Sequence, residues 1–134
     1  MKSLKEIQKI ITEIGEKIGA PKNLLTISSS PQPDAAPYIK TNNNEYLYII
    51  EERGNTIKIQ STESFDLLLY WLVKDIVFSL STEYELNNRK NNKDSRRIIF
   101  EHELQLFRKI NSEWLQRREE EIQATLRNAP FEDN

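Results

Sequence analysis

Apolar side chains recur along this chain in three rhythms, and the changes between them mark its elements. Leu4, Ile7, Ile11, Ile14 and Ile18 step by three or four residues, which places one apolar stripe on one face of a helix. Ser3 and Glu6 have the S-x-x-E form of a capping box, whose hydroxyl and carboxylate satisfy orphan amide donors at a helix start. Gly19-Ala20-Pro21 then supplies the stop. The second rhythm is alternation: Tyr46, Tyr48 and Ile50 fall on one face and Leu47 and Ile49 on the other, with Ile57 and Ile59 alternating beyond Arg53-Gly54-Asn55. It predicts a three-stranded antiparallel meander over residues 38–40, 45–52 and 56–60. Asn42-Asn43-Asn44 and Arg53-Gly54-Asn55 make the turns, because these residues tolerate positive φ.

The helical rhythm returns at Phe65, Leu69, Leu72, Ile76, Leu80 and Tyr84, after the cap and early acid of Ser61-Thr62-Glu63. Around Trp71 this helix is apolar on nearly every side, so it is predicted to be surrounded and to form the centre of the core. A third helix is predicted over about residues 95–110, with Ile99, Phe100, Glu103, Leu106, Phe107 and Ile110 near its inner face. A fourth starts at the Asn111-Ser112 cap, uses Trp114, Leu115, Ile122 and Leu126, and ends before Pro130. Residues 28–37 hold three of the five prolines without apolar periodicity and read as an irregular surface connection. The expected fold is therefore α+β: an N-terminal helix, the meander, then three helices packed on it. One domain over residues 1–134 accommodates this, at a length that buries about two-thirds of the unfolded chain's surface.

Composition narrows the function more than the fold. Residues 67–80 are the most apolar run, but they fall short of the about 20 residues a bilayer span needs, and Lys74-Asp75 interrupts them. The N-terminal stretch spreads lysines and glutamates through its apolar positions instead of forming the uninterrupted core of a secretory signal. The absence of cysteine rules out disulfides and thiolate metal sites, and it fits a reducing compartment. A cytoplasmic protein that needs no cofactor is expected. The net charge of −2, from 19 basic and 21 acidic residues, argues against a dedicated nucleic-acid binder.

Most enzyme mechanisms lose a required part here. The chain has one histidine and three glycines, and it contains neither H-E-x-x-H nor G-x-S-x-G. His102 reads as a helix-surface or boundary residue beside a carboxylate. Glu51 and Glu52 are the obvious acidic pair, yet neighbouring strand residues point to opposite faces and cannot flank one bond. Residues 87–97 carry five basic residues against one acid, a candidate phosphate patch, but they contain no aromatic for base stacking. Tyr38, Tyr46 and Tyr48 lie among Glu45, Glu51 and Glu52. That mixture suits either an interface with a basic partner or plain cross-strand packing.

Several ordered stretches, taken together, resemble immunity protein family 63 of bacterial polymorphic toxin systems. They are EIQKIITEIGEKIGAPKNLL near the start, YIIEERG at 48–54, DLLLYW at 66–71 and Phe78-Ser79. Tyr84-Glu85-Leu86 with Arg89, Asp94 with Arg96-Arg97, Trp114 with Arg117 and Arg118, and Pro130-Phe131-Glu132-Asp133 follow. The asparagine-rich turn at 42–44 departs from the family pattern. The resemblance implies a small non-catalytic protein that binds a cognate toxin and blocks it. Tyr38, Tyr46, Glu51 and Glu52, at the sheet edge and its hairpins, are the expected contact residues. Glu85, Arg89, Asp94, Arg96 and Arg97 are expected to form an ion-pair network across a helix junction. The alternative is a small nucleic-acid-associated regulator that uses residues 87–97.

Overall fold

The computed structural model describes all of residues 1–134. It is α+β: α1 (Leu4–Lys17), β1 (Tyr38–Asn42), β2 (Glu45–Glu52), β3 (Asn55–Thr62), α2 (Phe65–Asn87), α3 (Arg96–Arg108) and α4 (Ser112–Asn128). No helix is long and apolar enough to cross a membrane. The chain divides into two compact units. One comprises residues 1–16 and 21–73, the other residues 17–20 and 74–134.

In the first unit α1 starts as its sequence predicts. The Ser3 amide donates to Glu6 Oε1 and the Glu6 amide to Ser3 Oγ, each at 3.2 Å. Ile7 and Ile11 are buried on its inner face. Gln8 ties the helix to the following chain: its Nε2 donates to Leu25 O at 2.6 Å, and its Oε1 accepts from the Ile27 amide at 2.8 Å. Residues 28–37 are irregular apart from a parallel bridge, in which Ser28 O accepts from the Ile39 amide at 2.9 Å.

The sheet has the order β1-β2-β3, antiparallel throughout. β2 has the predicted bounds, β1 runs two residues further, and β3 starts one residue earlier and ends two later. Asn43 adopts φ 56° in the first turn, so the asparagine-rich departure is met by a residue that reaches the left-handed region. Arg53 and Gly54 both take positive φ between the paired Glu52 and Asn55, the pattern of a type I′ hairpin. One face of β2 meets the start of α2: the Tyr46 and Phe65 rings lie 5.8 Å apart, and Tyr48 meets Trp71 edge-on at 5.9 Å. The cap of α2 is Ser64 and not the predicted Ser61-Thr62, which end β3: Ser64 Oγ accepts from the Leu67 amide at 3.1 Å. Leu68, Leu69, Tyr70, Leu72 and Val73 are all buried, as an all-round apolar helix must be. Each contributes on the order of 1.5–3 kcal/mol by leaving water.

In the second unit α3 packs against α4. Leu106, Phe107, Trp114 and Ile122 supply apolar burial, and Ile76 and Val77 of α2 are buried too. Asn111 caps α4 with Oδ1 accepting from the Glu113 and Trp114 amides at 2.9 and 3.0 Å. Glu103 faces inward as its helical position predicts, and it is fully buried.

Candidate partner-binding surface

β2 is paired on both sides and β1 is bridged by Ser28 at its start, so the outer edge of the eight-residue β3 is the longer open edge of the sheet. No residue of β3 is buried. Ile57 and Ile59 are each 59% exposed, a large apolar area for an edge strand. Between them Lys58 leans back, its Nζ 5.9 Å from the centre of the Tyr48 ring. The register shifts at Ile50/Glu51: Ile50 pairs with Lys58 but Glu51 pairs with Thr56. Ile57 is thus the extra residue of a β-bulge, which strengthens the local twist.

The acidic pair borders this edge. Glu52 is exposed beside the hairpin turn and Glu51 is half-buried. The Tyr38 hydroxyl, reaching across from β1, donates to Glu51 Oε2 at 2.9 Å. Its bond to that carboxylate raises the phenol above its ordinary pKa, with burial adding to the shift. Tyr38 and Tyr46 are 6% and 3% exposed, so both are cross-strand core residues at their rings. Tyr46 uses its hydroxyl to accept from the Lys2 amide at 2.8 Å. The structure therefore joins Tyr38 to Glu51, leaves Glu52 exposed beside the turn, and packs Tyr46 against Phe65 instead. Ile57 and Ile59 are legible in the sequence only as alternation. That pattern cannot say which strand lies at the edge.

The basic stretch 87–97 is largely neutralised from within. Arg89 forms a bidentate pair with Glu85, Nε to Oε2 at 3.0 Å and Nη2 to Oε1 at 2.9 Å. Arg96 Nη2 pairs with Asp94 Oδ2 at 2.8 Å, and Arg97 Nη2 with Asp133 Oδ2 at 2.9 Å. Lys93 stands 3.9 Å from the same Asp133 oxygen. Four of the five cations thus face an intramolecular carboxylate, which removes most of the charge a nucleic-acid backbone would use. The single network expected across the junction does not form: Glu85 pairs with Arg89 at the end of α2, and Asp94, Arg96, Arg97 and Asp133 make a separate cluster at the start of α3. Asp94 also receives the Arg96 amide at 3.0 Å, so it caps α3, whereas Ser95 makes no side-chain cap.

His102 lies against α2, its Nδ1 2.8 Å from Ser81 Oγ and its ring stacked on Tyr84 at 4.2 Å. Burial pushes its pKa down, and Lys109 adds to the effect. Its partner is a hydroxyl, where the sequence suggests a carboxylate. Ser81 is wholly buried, so its hydroxyl is closed to a substrate.

A comparison with known families matches residues 42–124, more than half of the chain, to the family described as Immunity protein 63. No curated protein and no solved structure matches the chain. The matched residues include β2, β3, the whole of α2 and α3 and most of α4, and hence the open edge and most of the residues of the two ion-pair clusters. The chain belongs to the immunity protein 63 family.

Proposed function

We propose that this immunity protein neutralises a cognate polymorphic toxin in the cytoplasm by direct, non-catalytic binding, acting as one domain. The observation that carries the reading is the open β3 edge, where Ile57 and Ile59 are exposed beside Glu51 and Glu52. An edge strand offers unpaired backbone donors and acceptors to a partner strand, and the side chains beside it select the partner. Here the isoleucines supply the apolar anchors and the two glutamates the complementarity to a basic patch on the toxin. Tyr38 and Tyr46 take part from behind. Tyr38 fixes Glu51 through its hydroxyl, and Tyr46 secures the chain at Lys2. A stable complex of this kind buries about 1,200–2,000 Å² in total.

Co-expression with the toxin domain encoded beside this protein tests the reading. Survival of the host and co-purification of a complex are expected. Death of the host, with this protein folded and the toxin active, would exclude neutralisation. If survival holds but reversing both charges, Glu51→Lys with Glu52→Lys, leaves affinity unchanged, those two residues lie outside the contact.

A further inference from the structure

Residues 129–134 turn back from the end of α4 onto the loop before α3. Arg96 holds them through Nη1 to Ala129 O at 2.8 Å and Nη2 to Pro130 O at 2.9 Å. The Glu132 amide donates to Asp94 Oδ2 at 2.9 Å, and the Asn134 amide to Asn92 O at 3.0 Å. Phe131 lies under Arg97, whose guanidinium carbon is 4.2 Å from the ring centre. At the focus of this clasp sits the Asp133 carboxylate. Its Oδ1 accepts from the Asp94 amide at 2.8 Å and from Arg97 Nε at 3.1 Å, and its Oδ2 from Arg97 Nε at 3.1 Å.

We propose that Lys93, the Asp94 amide and Arg97 form a phosphate-binding cradle, which Asp133 fills as an intramolecular ligand. A backbone N–H beside an arginine fork is the donor set that charge-assisted recognition of phosphate uses. Lys93 is the donor that singles out phosphate from carboxylate. At 3.9 Å from Oδ2 it pairs with Asp133 by charge but is beyond hydrogen-bond reach, so its N–H donors are not spent on this planar two-oxygen anion. The further oxygens of a tetrahedral anion would meet it. The Asp94 carboxylate lies close enough to act on Arg97, and its charge is offset by Arg96, which engages both of its oxygens. Lys93 and Arg97 are 56% and 45% exposed, so the cradle is open to solvent once Asp133 lifts away. This inference is independent of toxin binding, which is assigned to other residues.

The test uses the full chain carrying Asp133→Ala, with the Asp94 amide and the Arg97 Nε–H followed by NMR. Inorganic phosphate is titrated in one arm and O-phosphoserine in the other. Saturable shifts at both protons, with an apparent Kd at least about tenfold tighter than in the unsubstituted chain, are expected. The amide shift should vanish when Arg97→Ala is added. Saturation by inorganic phosphate identifies a free-anion site, and saturation by phosphoserine alone identifies a phosphorylated side chain as the ligand. Asp133→Asn repeats the measurement, because it removes the charge while keeping a carbonyl acceptor for the Asp94 amide. If neither ligand binds either variant more tightly than the unsubstituted chain, or if the amide shift survives Arg97→Ala, the proposal is overturned.

Discussion

Arg118 of α4 and Glu103 of α3 form an ion pair away from water, with Arg118 Nε donating to Glu103 Oε2 at 2.8 Å. Arg118 also reaches Glu121 at 3.2 Å, and Glu121 meets Lys74 at 3.4 Å. Glu103 Oε1, by contrast, is buried without a partner. Removing one member of such a pair leaves the other charge uncompensated, so Glu103→Ala should lower stability by about 3–5 kcal/mol. Replacing the pair with apolar side chains of similar volume, Glu103→Leu with Arg118→Met, should restore stability to within about 1 kcal/mol. Urea denaturation of the three proteins checks both numbers. A mild single variant and a severe double one would contradict this account.

The acid response should have two opposed parts. Hydrogen bonds from Arg96 hold the Asp94 carboxyl below its ordinary range, and those from Arg97 do the same for Asp133. Their folded pKa values are lowered, so the stability they add is complete above the ordinary carboxylate value of about 4 and is lost as pH falls through the lowered values. Burial raises Glu103 instead, against the pull of Arg118. Its contribution therefore has the reverse sign, present in acid and lost as pH rises through the raised value. Hydrogen-exchange protection at the Glu132 and Asn134 amides should hold down to about pH 4 and weaken progressively as pH falls further toward the lowered carboxyl values. Failure between neutrality and pH 5 would show that the clasp does not depend on these carboxylates. Glu103→Gln should remove the Glu103 part of the stability profile above pH 4 and leave the clasp amides unaffected.

Gly15 is the place where α1 comes closest to the chain that follows it. A Cβ built there overlaps Leu25 Cδ2 and comes within 2.7 Å of Cδ1, and Leu25 is itself buried. Overpacking of this kind costs about 1–3 kcal/mol, more than the roughly 1 kcal/mol alanine gains over glycine in a helix. Gly15→Ala should therefore destabilise, whereas in a Leu25→Ala background the same change should become neutral or stabilising. Thermal unfolding of the four proteins in the cycle measures this coupling directly.

On the proposed binding edge, Ile59→Lys should weaken toxin affinity at least about tenfold while leaving the melting temperature unchanged, since the side chain is already mostly in water. Tyr38→Phe keeps the buried ring and deletes the bond to Glu51. A loss of only a few-fold is expected from it, because Glu51 keeps its charge and loses only its fixed orientation. Titration calorimetry with the toxin separates the two effects. An Ile59 variant with full affinity would remove the β3 edge from the contact.

The helices and strands are legible in the sequence because each is specified locally. The Ser3/Glu6 box, the Arg53-Gly54 turn and the Asn111 cap all act within a few residues of themselves. The tyrosines are harder. On an alternating strand Tyr46 and Tyr48 read equally well as interface or core, and the rings of Phe65 and Trp71 against them decide the matter, from a helix outside the strand pattern. The basic stretch misleads for a similar reason. Asp133, which neutralises Arg97, is 36 residues away in sequence, so composition within the stretch counts the cations without their counter-charge. Glu103 is placed on the inner face by its helical position, yet its partner Arg118 lies on another helix and cannot be named from spacing.

The extra residue at Ile57 has a consequence for which assemblies the protein avoids. A straight strand laid along β3 in register with Ile59 and Thr62 falls out of step with Asn55 and Thr56, because the bulge offsets the two halves of the edge. Identical copies stacking edge to edge would meet the same offset at every added layer. The kink therefore works against the open-ended fibril that an exposed isoleucine-bearing strand otherwise invites.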